Sequence, residues 1–534
     1  MLDTLMHHAV LASLLLALAG LVLHERVRSK RPYEVRPKLP ALPIVGAREG
    51  EWLPTLRAMW RNSTDIRAAV AAGYRFTEAC LFPVIDLGTA VVLPPAEVAW
   101  FLEQPETKLS AHYHQLDAFQ FDYTLTDPQL VRDVKPLHKT LINTKLTREI
   151  NNLLPLLADE VARSVSEVWR TDTDSFRDLC PMDVLPHVIS RVVNRAFVGA
   201  PTCYSRALVD NGIAFAQTLG YTSIALRFTP QTLRPVFAPL MTLPGKRATR
   251  RFFAALRPEV DRRLHEMRTD AGAASKYNDF LQWTIDAAMD SGDEYQARPR
   301  TIMGRVLILN FVSIHTSTFA LSHVLFDLAA HSPAYIDELR AEIVGALEAH
   351  GGHWTKQTLA DMPKLDSAFR ESQRMNPVST MASPMPVTDP NGITTPSGLH
   401  LRYGTYVAVL AYPILHDPNL YPDPETFRPF RFADRRETAS QQGLKMESAR
   451  QAWTSVSTTY PAFGMGRHAC PGRFFASSSL KITLAYLLMN YDFEKLPERP
   501  PSPTIGFSLL PPLKASIRFK RREKPLYVLD KGQD

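Results

Sequence analysis

The alternation of apolar and polar residues along the chain follows a helical period over most of its length. Thr4 to His24 contains no Asp, Glu, Lys or Arg, and Ala9 to Leu23 is almost wholly apolar. As a helix, this stretch at about 1.5 Å per residue spans about 31 Å, enough to cross a bilayer core. His138 to Glu160 repeats its apolar positions every three or four residues and predicts an amphipathic helix. Ala207 to Arg251 reads as helices joined by an apolar loop, and Met362 to Arg374 as a shorter helix. Thr301 to Ala330 is the longest apolar helical run, and a helix hydrophobic nearly all round must be buried. Leu480 to Met489 continues a helix near the C-terminus. Two stretches depart from the period. Tyr113, Phe119, Phe121 and Tyr123 fall without helical spacing in Lys108 to Thr124, which predicts a loop, and the polar run Asp434 to Thr459 predicts a surface excursion.

Composition narrows the class. The 534 residues are 45% hydrophobic and 22% charged, with no linker or repeat after residue 50. That describes a large globular unit able to enclose a cofactor. The net charge of +7 is concentrated at the two ends, in Arg26 to Lys38 and in Arg518 to Lys524. Nothing between these clusters has the form of a nucleic-acid motif, so nucleic acid is excluded as a partner. The first cluster flanks the apolar segment. Ala17-Leu18-Ala19 has the small-residue form of a signal-peptide cleavage site, but Asp3 and the lack of Lys or Arg ahead of the segment favour an uncleaved anchor. Positive charge behind the segment keeps that side cytosolic. Pro32, Pro37, Pro40 and Pro43 then form a stiff spacer ending at Gly46. Three segments are expected: an anchor over 1–25, a basic Pro-rich hinge over 26–46 and a globular domain over 47–534.

Four cysteines, Cys80, Cys180, Cys203 and Cys470, are too few and too scattered for a disulfide framework. Cys470 stands apart because of its surroundings, Pro461 to Ala476, PAFGMGRHACPGRFFA. Pro471 is suited to a first helical position, which would put the sulfur at the positive end of a helix. Gly464, Gly466 and Gly472 allow a tight turn that aims N–H groups at it, and Phe463 would shield it from water. A buried free cysteine in a glycine-rich turn is the plainer reading.

The spacing Phe-x-x-Gly-x-x-x-Cys-x-Gly resembles the haem-ligand signature of the cytochrome P-450 family, in the form common in fungal members. Two other signals stand in the order that this family implies. Val312-Ser313-Ile314-His315-Thr316-Ser317 occupies the place of the family's Ala/Gly-Gly-x-Asp/Glu-Thr-Thr, with Thr316 at the oxygen-side threonine and His315 where an acid is usual. Glu371 and Arg374 match Glu-x-x-Arg, joined by Arg431. The family's Trp-x-x-x-Arg and a later propionate arginine are missing. His468, or Arg467, would serve one propionate, and His138, Lys139 or Lys145 could stand in elsewhere.

The resemblance implies a mainly α fold with small β-sheets, the cytochrome P-450 fold, preceded by a transmembrane helix. It implies haem b held by Cys470, with Phe463, Gly464, Gly466, His468 and Gly472 around it. Thr316 and His315 would act in catalysis, and Glu371, Arg374 and Arg431 would hold the core. The implied activity is insertion of one oxygen atom of O2 into a hydrophobic small molecule, a terpenoid or other secondary metabolite. Electrons would come from NADPH through a separate NADPH-cytochrome P-450 reductase. The implied location is the endoplasmic reticulum membrane, single-pass, with a cytosolic catalytic domain. A haem-thiolate isomerase or dehydratase, and a non-catalytic haem-binding protein, are the alternatives.

Overall fold

A computed structural model describes residues 37–169, 172–269 and 276–526. The segment Thr4 to His24 and most of the basic run behind it lie outside the described residues. The end of the Pro-rich stretch is docked on the body. The Val45 N–H donates to Leu81 O at 2.9 Å, and the Leu81 N–H donates to Pro43 O at 2.8 Å. Val45 is buried, so the folded body takes in Pro43 to Gly46, ahead of residue 47.

Seven helices frame the site: α1 (Thr147–Val168), α2 (Pro181–Phe197), α3 (Arg206–Phe228), α4 (Leu243–Thr269), α5 (Pro299–Ala330), α6 (Pro363–Met375) and α7 (Arg473–Asn490). The axis is α5, which packs against each of α2, α3, α4, α6 and α7. By length and composition α5 could cross a membrane. Yet 67% of its most apolar window is buried inside the protein, which makes it a core helix. On α1 the buried positions Ile150, Leu153, Leu154, Leu157, Val161 and Val165 form the stripe that its periodicity predicts, and this face meets α2 and α7. One turn earlier, Ile142–Leu146 is π-helical, a widened turn that re-aims what precedes it.

The strands form small sheets. β1 (Cys80–Val84), β2 (Gly88–Val92), β4 (Met381–Pro386) and β5 (Tyr406–Leu410) make one sheet in the order β1-β2-β5-β4. The β4–β5 register shifts between Ala382 and Met385, around Pro384, which has no N–H to give to the ladder. β3 (Arg177–Leu179), β6 (Tyr491–Phe493) and β7 (Ile517–Arg521) make a second sheet with β7 central.

Two expectations about loops are corrected. Residues 111–124 are largely helical, as Ala111–Ala118 and Phe121–Thr124, because Ser110 caps the first helix by accepting from the Tyr113 N–H. The aromatic spacing there follows tertiary contacts instead: Phe119 and Phe121 both pack on Phe311 of α5. The polar run 434–459 does carry exposed helical turns, but it also delivers Trp453, which is fully buried.

Candidate active site

Two elements face each other across the centre of the fold: the middle of α5 and the loop ahead of α7. On α5, Val312 is 44% exposed and Thr316 is exposed as well, although the helix around them is largely buried. Positions 312, 316 and 320 share one face of a 3.6-residue helix. Cys470 likewise has accessible surface, yet it lies deep enough that burial pushes its thiol pKa up. Accessible surface on side chains enclosed by protein marks an internal hollow at these two elements, and α5 itself packs on α7, the helix that the loop leads into.

The loop is built around the sulfur. The Cys470 N–H donates to Phe463 O at 2.7 Å, which folds the segment back on itself. Gly464 has φ +78 and Gly466 φ +53, a left-handed backbone that side chains rarely adopt. A Cβ on Gly464 would also come within 3.0 Å of His468 O. Gly472 differs: its φ is −84, and a Cβ there would meet no atom within 4 Å. The helix starts at Arg473, with Gly472 as its N-cap, two residues later than Pro471 suggested. This shift leaves the backbone N–H groups of Gly472 and Arg473 bonded to Cys470, and these bonds, together with the Arg473 guanidinium, draw its pKa back down against burial. Those are the contacts that a thiolate needs. Phe463 packs on Trp453, whose ring stacks on Phe369 at 4.4 Å. Trp453 was not foreseen, being a single aromatic in a polar run.

Thr316 Oγ1 donates to Val312 O at 2.7 Å, the bond that a mid-helix threonine makes with its own backbone. Its lone pairs stay free toward the hollow. His315 lies about 100° further round α5. Its Nε2 is buried without a partner, its ring leans on Phe319 at 6.1 Å, and burial lowers its pKa.

Glu371, Arg374 and Arg431 meet in the core, almost wholly buried. Arg374 Nε and Nη2 donate to the two Glu371 oxygens at 2.8 and 3.0 Å, and Arg431 Nε donates to both at 3.0 and 3.1 Å. The remaining guanidinium N–H groups reach the carbonyls of Leu415, Pro422, Asp423, Pro424 and Thr426. Full satisfaction of this kind is what lets three charges stay buried together.

The imidazoles nearer the hollow are not satisfied. Among the described residues, His138 Nδ1 and His468 Nε2 are buried with no hydrogen-bond partner. His468 Nδ1 is 3.4 Å from Glu106, which orients the ring and leaves Nε2 facing away. Burial pushes the His138 pKa down to about 3, with Arg305 and Lys139 adding to the effect. Lys139 and Lys145 are exposed, and Arg467 is spent on Glu103 O at 3.0 Å. Of the residues considered for propionates, His138 and His468 are therefore the two with buried, open polar atoms. Met381, Ala382 and Met385 are buried in the packing of β4.

A flat apolar macrocycle with a metal at its centre and two carboxylates on its edge fits this donor set. It would find a sulfur backed by N–H donors, an apolar stripe on α5 opposite, and two buried imidazole nitrogens without acceptors. Comparison with known proteins agrees. Residues 112–519 match the family described as Cytochrome P450. The chain is 31% identical to cytochrome P450 monooxygenase gloP of Glarea lozoyensis, over 90% of each chain. It is 32% identical to cytochrome P450 monooxygenase htyF of Aspergillus rugulosus, covering 85% of this chain and 68% of that one. It is 29% identical to cytochrome P450 monooxygenase paxP of Penicillium paxilli, over 92% of each. The helical core around α5, the enclosed thiol loop and these likenesses over nearly the whole length agree, and the chain belongs to the cytochrome P450 family of haem monooxygenases.

Proposed function

We propose that the protein inserts one oxygen atom of O2 into a hydrophobic small molecule, a terpenoid or other secondary metabolite, and that Cys470 Sγ would hold the iron of haem b. The observation that carries this is the Cys470 loop, where burial and backbone donors converge on one thiol. Bound there, a thiolate-ligated haem supplies the activation of O2. The chain's own residues set the conditions. Gly472 and Arg473 N–H groups hold negative charge on the sulfur, and Phe463 with Trp453 closes that side to water. His138 and His468 would donate to the propionates. Val312 and Ala320 offer apolar surface, and Thr316 is the hydroxyl on the same face, able to accept a proton-bearing water while its own proton rests on Val312 O. Glu371, Arg374 and Arg431 fix the two halves of the scaffold.

Electrons would arrive from NADPH through a separate reductase, and residues 1–25 would anchor the protein in the endoplasmic reticulum membrane with the body in the cytosol. Turnover with NADPH, reductase and isotopically heavy O2 tests the reading. One heavy oxygen atom in the product supports it, whereas product formed without NADPH and O2 overturns it in favour of an isomerase. Thr316→Val should keep haem and lower product per NADPH several-fold. His315→Ala should act in the same direction if its imidazole is part of the relay, and leave the ratio unchanged if the ring only packs on Phe319.

A further inference from the structure

Away from the hollow, a cleft of about 920 Å³ opens between α4, the Asp122–Pro128 segment, the short helix Arg234–Met241 and the start of α5. Its walls are apolar, with Leu125, Pro239, Phe253 and Met303 among them. Met303 stands nine residues before Val312 on α5, about 14 Å along the axis. Between them on α5 is Phe311, ringed by Phe119, Phe121 and Phe215. These rings stand between the cleft and the Thr316 face.

Its charge is one-sided. Lys246, Arg250, Arg257 and Arg300 line it, against one carboxylate, Asp122, which lies 3.5 Å from Arg132. Arg257 is paired with Asp261 at 2.6 Å. Lys246, Arg250 and Arg300 have no side-chain hydrogen bond or ion pair among the described residues. A solvated helix face accounts for Arg247 and Arg251, which do not line the cleft. Three open cations beside apolar walls are a different arrangement. Lys246 and Arg250 are one turn apart on α4, close enough for one anionic head to reach both. A neutral hydrocarbon would leave these cations unused, and a compact polyanion would leave the walls uncovered.

We propose that this cleft binds an amphipathic carboxylic acid, its hydrocarbon along Leu125, Phe253 and Met303 and its carboxylate among Lys246, Arg250 and Arg300. The proposal goes beyond the oxygen chemistry and does not depend on it. The test uses the full-length, haem-loaded protein in nanodiscs of neutral phospholipid, with radiolabelled dodecanoate and dodecanol in equilibrium dialysis. Dodecanoate should bind at least tenfold more tightly than dodecanol. The triple variant Lys246→Gln, Arg250→Gln, Arg300→Gln should lose at least tenfold for dodecanoate and keep its affinity for dodecanol, with Arg250→Lys near wild type. The haem absorption spectrum should not move on saturation. Equal dodecanoate affinity in wild type and triple variant would overturn the site, as would binding that shifts the haem spectrum in step with occupancy. If the triple variant instead loses only its attachment to phosphatidylserine vesicles, the cations serve a lipid surface and the proposal fails. A wild-type protein that binds dodecanoate but shows no thiolate haem spectrum would sink the Cys470 assignment and leave this one standing.

Discussion

The Glu371 cluster and the imidazoles at the hollow are both buried and polar, and they differ in one respect. The guanidinium nitrogens around Glu371 all have acceptors within the chain, whereas His138 Nδ1 and His468 Nε2 have no partner among the described residues. A satisfied buried group is complete and acts as structure. An unsatisfied one costs roughly 1–3 kcal/mol until something arrives to bond it. Around the thiol loop and the Glu371 cluster, the comparison separates residues whose bonds are complete from residues with a bond left to make.

The largest effect expected belongs to the hollow. Cys470→Ser should abolish the red-shifted absorption of the reduced carbon monoxide complex while the thermal unfolding of the protein changes little, and a variant that kept this band would end the ligand assignment. Next comes the satisfied cluster. Glu371→Ala leaves two buried guanidiniums without their carboxylate and should cost about 3–5 kcal/mol, seen as a large fall in Tm and in folded yield. A loss below about 1 kcal/mol would mean that the carbonyls suffice.

Glu342 offers an intermediate case. Its oxygens accept from the N–H groups of Lys364 and Leu365 at 2.7 and 2.8 Å, and burial raises its pKa to about 7. The folded state then holds a proton that the unfolded chain releases near 4.5. Its contribution is full below pH 4.5 and is lost as pH rises through 7, by about 1–3 kcal/mol. Glu342→Gln should flatten stability over that window, and an unchanged slope in denaturant titrations would refute the shift. The smallest effect has the opposite sign to the Glu371 loss. His138→Phe and His468→Phe should each speed haem loss about tenfold, while leaving the haem-free protein as stable as before or about 1 kcal/mol more so. Haem transfer to an apoprotein acceptor and unfolding of the haem-free form measure the two parts.

Much of this arrangement was legible in residues. Cys470, Thr316 and the Glu371–Arg374 pair lie in short motifs whose spacing survives reading one letter at a time, and the apolar run of α5 declared its burial. What was illegible depends on distance along the chain. Trp453 is buried because Asp366 and Gln373, some 80 residues earlier, accept from its two N–H groups. Lys481 reaches Asp366 across 115 positions. Arg499 pairs with Asp327 and donates to His323 Nδ1 from the far end of the chain. No local pattern announces such partners.

The Glu371 cluster also has a bearing on how the molecule comes apart. Arg431 closes a loop of 60 residues onto α6, and Arg374 ties the same helix to Leu415 and Pro424. Closing such a loop costs roughly 3–4 kcal/mol of chain entropy, recovered only when all three charges arrive together. Any state with one of them undocked strands an ion in the interior, so partial opening of this segment is disfavoured by both terms. Residues 415–431 and α6 should therefore exchange their amide hydrogens as one cooperative unit.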